Sequence, residues 1–285
     1  MNRSATPLER PDQLRDRPYL TDAEVKQMQR RSDQLFNDGH SDYLDSDRLF
    51  AAVLSKAEVY KDPTGPLEGN DVNLRLEFDN RTSPIVDPPD GKLPPYTPEG
   101  KRRREAADAL DTLANPPASV KDIAPYQRCI VNGVPAIGGN SGSYFQIVQT
   151  RDYVVIAMEN IHEMRIIPLD GRQHLPPNVR QWDGNSVGHW EGKTLVIDTT
   201  NYNGLNPFYG SAEGLHIVER FTRVAPDELR QELTVEDPAT WTKPWTAVQR
   251  LKLTKEPLFE VACHEGNSAV MEDMLSGAAP PKTKQ

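Results

Sequence analysis

The run LHIVERFTRV, residues 215–224, decides how this chain is read. Leu215, Ile217, Glu219 and Phe221 fall on one face, and His216, Val218, Arg220 and Thr222 on the other. An apolar period of two is that of a strand with one buried face. Similar runs lie on both sides, at 144–149, 153–159, 164–169, 187–190, 194–202, 228–235, 247–254 and 259–263. They are rich in β-branched and aromatic residues and are separated by turn residues. Asp170-Gly171 and Glu191-Gly192 read as hairpin-type turns. Consecutive strands with short connections predict a mainly β, antiparallel fold: a lipocalin-like barrel or a sandwich. Closure into a barrel would remove the exposed edges.

The first half reads differently. Fifteen of the 25 prolines precede residue 140, so that half cannot be continuous sheet or helix. Thr21-Asp22-Ala23-Glu24 is a capping box. Val25, Met28, Ser32, Leu35 and Phe36 follow it at helical spacing, with Gly39 as the stop. A second helix starts at Thr97 with Pro98 in its first turn and runs to about Leu113. A third is expected within 46–60, and a short one near 269–275. The prolines between Asn80 and Pro95 predict irregular chain there. The division that follows is a Pro-rich wrapping segment over 1–129, an antiparallel β-barrel over 130–267 and a short helix and tail over 268–285. Together they make one compact unit.

The formal net charge is -9, the pI about 5.3 and the mean hydropathy -0.66. Nucleic-acid binding draws most of its affinity from phosphate neutralisation, so an acidic chain without a basic stripe argues against that partner. Lys101 to Arg104 is the one dense basic run, and it reads as the solvated face of a helix. No stretch approaches the roughly 20 apolar residues of a membrane span, which argues against membrane insertion. Met1 to Arg10 is polar and shows no signal peptide. Cys129 and Cys263 flank the β half: either they form a bridge closing nearly all of it, or they are two buried thiols. A bridge would point to an oxidising compartment, with a signal peptide absent from this chain; cytoplasmic location is the alternative.

Four strings carry a family resemblance. They are Arg81-Thr82-Ser83-Pro84-Ile85-Val86-Asp87-Pro88-Pro89-Asp90-Gly91, Ile166-Ile167-Pro168-Leu169-Asp170-Gly171-Arg172, Gly188-His189-Trp190-Glu191-Gly192 and Ala262-Cys263-His264-Glu265-Gly266-Asn267. Together, over about 81–267, they resemble a family of mostly uncharacterised, often exported bacterial proteins. The resemblance implies an association with cofactor-free lyases that break down plant aromatic compounds.

The residues themselves supply candidates for chemistry. Glu219 shares its face with apolar residues, Asp198 shares a face with Val196 and Thr200, and Glu159 ends a run. A buried carboxylate needs a cation or donors; Arg165, Arg220 and Arg250 are the candidate partners. Five of the six histidines, His162, His174, His189, His216 and His264, lie in the β half. Histidine is the commonest general acid/base near neutrality. No HxH or HExxH spacing exists, so neither a metal nor any other cofactor is expected. Gly139-Asn140-Ser141-Gly142-Ser143 fits neither a nucleophile elbow nor a phosphate loop.

These readings converge on a cofactor-independent lyase or dehydratase acting on a small aromatic or polyhydroxylated molecule inside a barrel. His162 would be the base, with His216 or His264 next in line for that role, Asp198 or Glu219 its orienter or the acid, and Arg165 or Arg220 an oxyanion stabiliser. Trp190, Tyr202, His189 and His264 would contact the substrate. Trp182, Trp241, Trp245 and Tyr209 would either line the pocket or belong to the core. Two alternatives stand beside it: a lipocalin-like carrier without catalysis, and a structural envelope protein. Assembly into a homo-oligomer is left open.

Overall fold

The computed structural model describes residues 6–36, 50, 52–55, 78–110, 117–133, 135, 137, 144–161, 163–255, 257–258 and 262–276. Nine strands run in chain order: β1 Ile85–Asp87, β2 Phe145–Gln149, β3 Tyr153–Met158, β4 Met164–Pro168, β5 Asn185–Glu191, β6 Thr194–Thr200, β7 His216–Ala225, β8 Glu228–Glu236 and β9 Trp245–Lys252. They form an antiparallel six-stranded sheet, β1-β9-β8-β7-β6-β5, and an antiparallel three-stranded sheet, β2-β3-β4. The helices are α1 Asp22–Phe36, α2 Pro98–Leu110 and α3 Asn267–Ser276.

The predicted mainly β antiparallel fold is present. The sheets are not closed into one barrel: β4 lies against β5 without a hydrogen-bonded ladder. Asp170-Gly171 therefore does not close a hairpin. It opens a long connection from one sheet to the other, whereas Gly192, with φ 61°, sits in the tight β5–β6 turn.

One further expectation changes. The Pro-rich stretch before 130 does more than wrap the outside, because Ile85–Asp87 joins the large sheet as its edge strand beside β9. An edge strand tolerates flanking prolines, since its outer N–H groups need no ladder partner. The ninth predicted strand, 259–263, falls mostly outside the described residues, and Cys263 lies in a turn. Of the helix expected within 46–60, residues 50 and 52–54 are helical and most of the rest lies outside the described residues.

Both predicted caps form. Glu24 N–H donates to Thr21 Oγ1 at 3.3 Å while Thr21 N–H donates to Glu24 Oε2 at 2.8 Å. Gly100 N–H donates to Thr97 Oγ1 at 3.0 Å. Within the basic run, Arg103 turns inward and donates to Gly210 O at 2.8 Å and Thr240 Oγ1 at 2.7 Å, tying α2 to the β half.

The sheets pack face to face. Phe145, Val154, Ile156 and Ile167 of the small sheet meet Leu195, Ile197, Phe221 and Leu251 of the large one in a mainly aliphatic core. A second core is aromatic: Trp241 and Trp245 are fully buried with Ile85, Leu215 and Leu233, and Phe208 stacks on Trp245 at 6.3 Å. The tryptophans at 241 and 245 are thus core residues. Cys129 and Cys263 form a disulfide with Cα atoms 5.8 Å apart. No helix among the described residues is long and apolar enough to cross a membrane.

Candidate functional site

Alternation puts apolar residues on the inner face of each strand, but polar residues interrupt it on one strand after another. The interruptions join into a hydrogen-bonded belt across the interior. Gln249 of β9 donates to Gln231 of β8 at 2.7 Å, and Gln231 donates to Glu219 Oε1 of β7 at 2.9 Å. Arg165 of β4 crosses from the other sheet to Glu219 Oε2 at 2.5 Å. Its Nη2 also reaches Ser186 Oγ and Thr199 Oγ1, each at 3.3 Å, and these hydroxyls lie 2.9 Å apart. Arg165 and Glu219 are 7% and 1% exposed, so this is a buried ion pair. Burial works against the Arg165 charge, and the Glu219 carboxylate outweighs it, so the Arg165 pKa is raised.

At the Arg165 end the belt is unsatisfied. Arg165 Nε is buried without a hydrogen-bond partner, and Glu163 Oε1 and Asp183 Oδ1 are buried acceptors that no N–H or O–H donor of the other described residues reaches. Glu163 comes from the β3–β4 turn and is 8% exposed; its Oε2 accepts Asn132 N–H at 3.1 Å. Asp183 comes from the turn leading into β5. Burial pushes Glu163 up to about 9, reinforced by its hydrogen bond to the Asp183 carboxyl and by that neighbour's negative charge. Two ionised carboxylates offer acceptors only, so their oxygens stay orphaned. One proton on Glu163, donated to Asp183, satisfies both. Tyr202 lies in the same electrostatic neighbourhood, buried, with its hydroxyl pKa raised by desolvation.

The candidate residues from the sequence divide between this interior and the outer surface. Arg165, Glu219 and Tyr202 are inside. Asp198 and His216 meet on the outer face, where Asp198 Oδ1 lies 3.2 Å from His216 Nε2 and 3.0 Å from His174 Nε2. The Asp198 side chain is 36% exposed, which corrects its expected place in the core. Leu195 and Ile197 lie on one face of β6 and Val196 on the other, so alternation there did not fix which face is inner. The hydrogen bond from His216 lowers the Asp198 pKa, and the same bond raises that of His216.

Arg220 is an outer residue that donates to Glu191 at 2.6 Å, so it does not join the buried carboxylates. Arg250 likewise donates to Glu228 at 2.7 Å. His189 sits on Glu191 at 3.2 Å, Trp190 is 45% exposed, and His264 lies in an exposed turn near the disulfide. None of these three belongs to the belt. His162 lies outside the described residues. Glu163 and Asp183 were not among the sequence candidates: both sit in turns, where a carboxylate ordinarily faces water. Among the described residues no group of three or more His, Cys, Asp and Glu side chains is arranged to hold a metal ion.

No family model and no curated protein matches the chain. A solved structure, that of a mutant of the fluorescent protein UnaG, is similar at 17% identity and a TM-score of 0.27, over 39% of this chain and 71% of that one. A likeness that slight carries no argument about this chain's ligand.

Proposed function

We propose that the protein binds a small organic molecule between its two sheets, where Glu163, Arg165, Asp183 and Tyr202 converge. The supporting observation is Arg165 Nε, buried without a partner beside the buried Glu163–Asp183 carboxyl pair, at the end of an otherwise satisfied belt. Buried polar atoms are nearly always paired, and exceptions mark places that other groups complete. The test is a thermal-shift screen of organic acids, polyols and hydroxylated aromatics on the wild type, with calorimetry on the hits. Binding should be lost in Arg165→Lys and kept in Arg220→Gln, whose side chain is on the outer surface. A hit that ignores Arg165 and depends on Arg220 would overturn the reading.

A second reading adds chemistry, favoured by the neutral Glu163 carboxyl. In a dehydration, Glu163 would give its proton to a departing hydroxyl, which leaves as water. Asp183 would take the carbon-bound proton as the double bond forms. This is the lyase or dehydratase chemistry expected from the motif resemblance, moved from the histidines to a carboxyl pair. Export to an oxidising compartment belongs to the same proposal, and the disulfide fits it.

A further inference from the structure

Residues 171–184 form a strap from β4 to β5. Most of its side chains are exposed, and the anchors described next are polar. Asn201 Nδ2 donates to Leu175 O at 2.8 Å and to Pro176 O at 3.2 Å. Arg180 Nη1 donates to Tyr202 O at 3.1 Å and Glu213 O at 3.0 Å, and Gln181 N–H donates to Asn201 O at 2.9 Å. Lifting such a segment exposes little apolar surface, so it belongs to the low-cost end of local opening. The strap's last turn carries Asp183 to Glu163.

We propose that Asp183 is a plug on a door: its carboxylate stands beside Glu163 and Arg165 where the carboxylate of a small organic acid binds when the strap lifts. This rests on the interior-binding reading above. The chemistry of the place selects the ligand class. Glu163 offers one O–H and Arg165 one unused Nε–H, and a carboxylate accepts from both. In the closed state Asp183 supplies a carboxylate to Glu163 alone, and Arg165 Nε stays unpaired.

The latch is His174. Leu175 N–H donates to Asn185 Oδ1 at 2.9 Å, which fixes that amide with its oxygen toward the strap. His174 Nδ1 faces the same oxygen at 3.1 Å, and Nε2 faces Asp198 Oδ1 at 3.0 Å. Both ring nitrogens therefore meet oxygen atoms, one on each side of the strap's anchor. The charged groups around it are Asp198 on β6, His216 on β7 sharing the same oxygen, and Glu236 on β8, 3.9 Å behind His216. A side chain that cannot reach Asn185 and Asp198 together would loosen the strap.

Acetate is the severed carboxylate of an Asp183→Ala side chain, which makes it the first probe. Against chloride at matched ionic strength, acetate should raise the melting midpoint of Asp183→Ala and bind it at least about tenfold more tightly than it binds the wild type, whose plug competes. Acetamide, the neutral isostere, should do neither. A larger acid, benzoate, should bind His174→Gln more tightly than the wild type. If acetate acts no better than acetamide or chloride while a neutral molecule still binds in an Arg165-dependent way, the plug is overturned and interior binding survives. If acetate occupies Asp183→Ala but no molecule, benzoate included, enters the wild type or His174→Gln, the interior-binding reading falls and the door with it.

Discussion

Arg165 Nη2 and Glu219 Oε2 lie 2.5 Å apart and join the two sheets through the middle of the core. Removing one member leaves the other charged and desolvated. Glu219→Ala should therefore cost about 3–5 kcal/mol in urea unfolding. The double variant Arg165→Met/Glu219→Leu should cost less than the sum of its two singles by more than about 1 kcal/mol. Additive singles would mean that the two charges do not depend on each other.

Glu163 gives a pH signature. Its folded pKa is raised above its unfolded value, so the folded state holds the proton longer. The stabilisation from that proton is complete below about pH 4.5 and is lost as pH rises toward about 9. Stability should fall across this window in the wild type. In Glu163→Gln the fall should be flattened, because the amide donates to Asp183 at every pH. Identical profiles from calorimetric melts would count against a shared proton.

The outer Asp198–His216 pair titrates with the opposite sign on its acidic side. Asp198 has a lowered folded pKa, so its contribution is present above about pH 4 and is lost as pH falls through the folded value. His216 has a raised folded pKa; its contribution is present below about pH 6.5 and is lost as pH rises through the folded value. Asp198→Asn should flatten the midpoint-versus-pH curve at both ends. A curve that keeps both shoulders would place the titration elsewhere.

The disulfide spans 134 residues of sequence. Cross-links over loops this long stabilise by about 2–5 kcal/mol. Cys129→Ser/Cys263→Ser should lose stability in that range, and the wild type should match it after reduction. Equal melting midpoints in oxidised and reduced protein would show the bridge to be energetically idle.

Much of the large sheet was legible because β7 and β8 bury one face and wet the other, and a period of two carries that information. Glu219 stood out for the same reason: a carboxylate on an apolar face demands a partner, and Arg165 was among those named. Asp198 was misplaced because β6 is apolar on both faces, through Leu195, Val196 and Ile197. β1 was hidden by its prolines, whose cost vanishes at a sheet edge. Glu163, Asp183 and His174 were beyond reach of local pattern. They lie in turns and a proline-flanked strap, and only the packing of two sheets brings Glu163 and Asp183 together.

The account turns on one neutral carboxyl buried beside Arg165. Infrared difference spectra between the wild type and Glu163→Gln test it directly, because a protonated carboxyl has its own C=O band, distinct from that of a carboxylate. At about pH 7 the wild type should show that band, and it should disappear as pH is raised past about 9. A wild-type spectrum at neutral pH with only carboxylate bands at this position would contradict the shared proton and the site built on it.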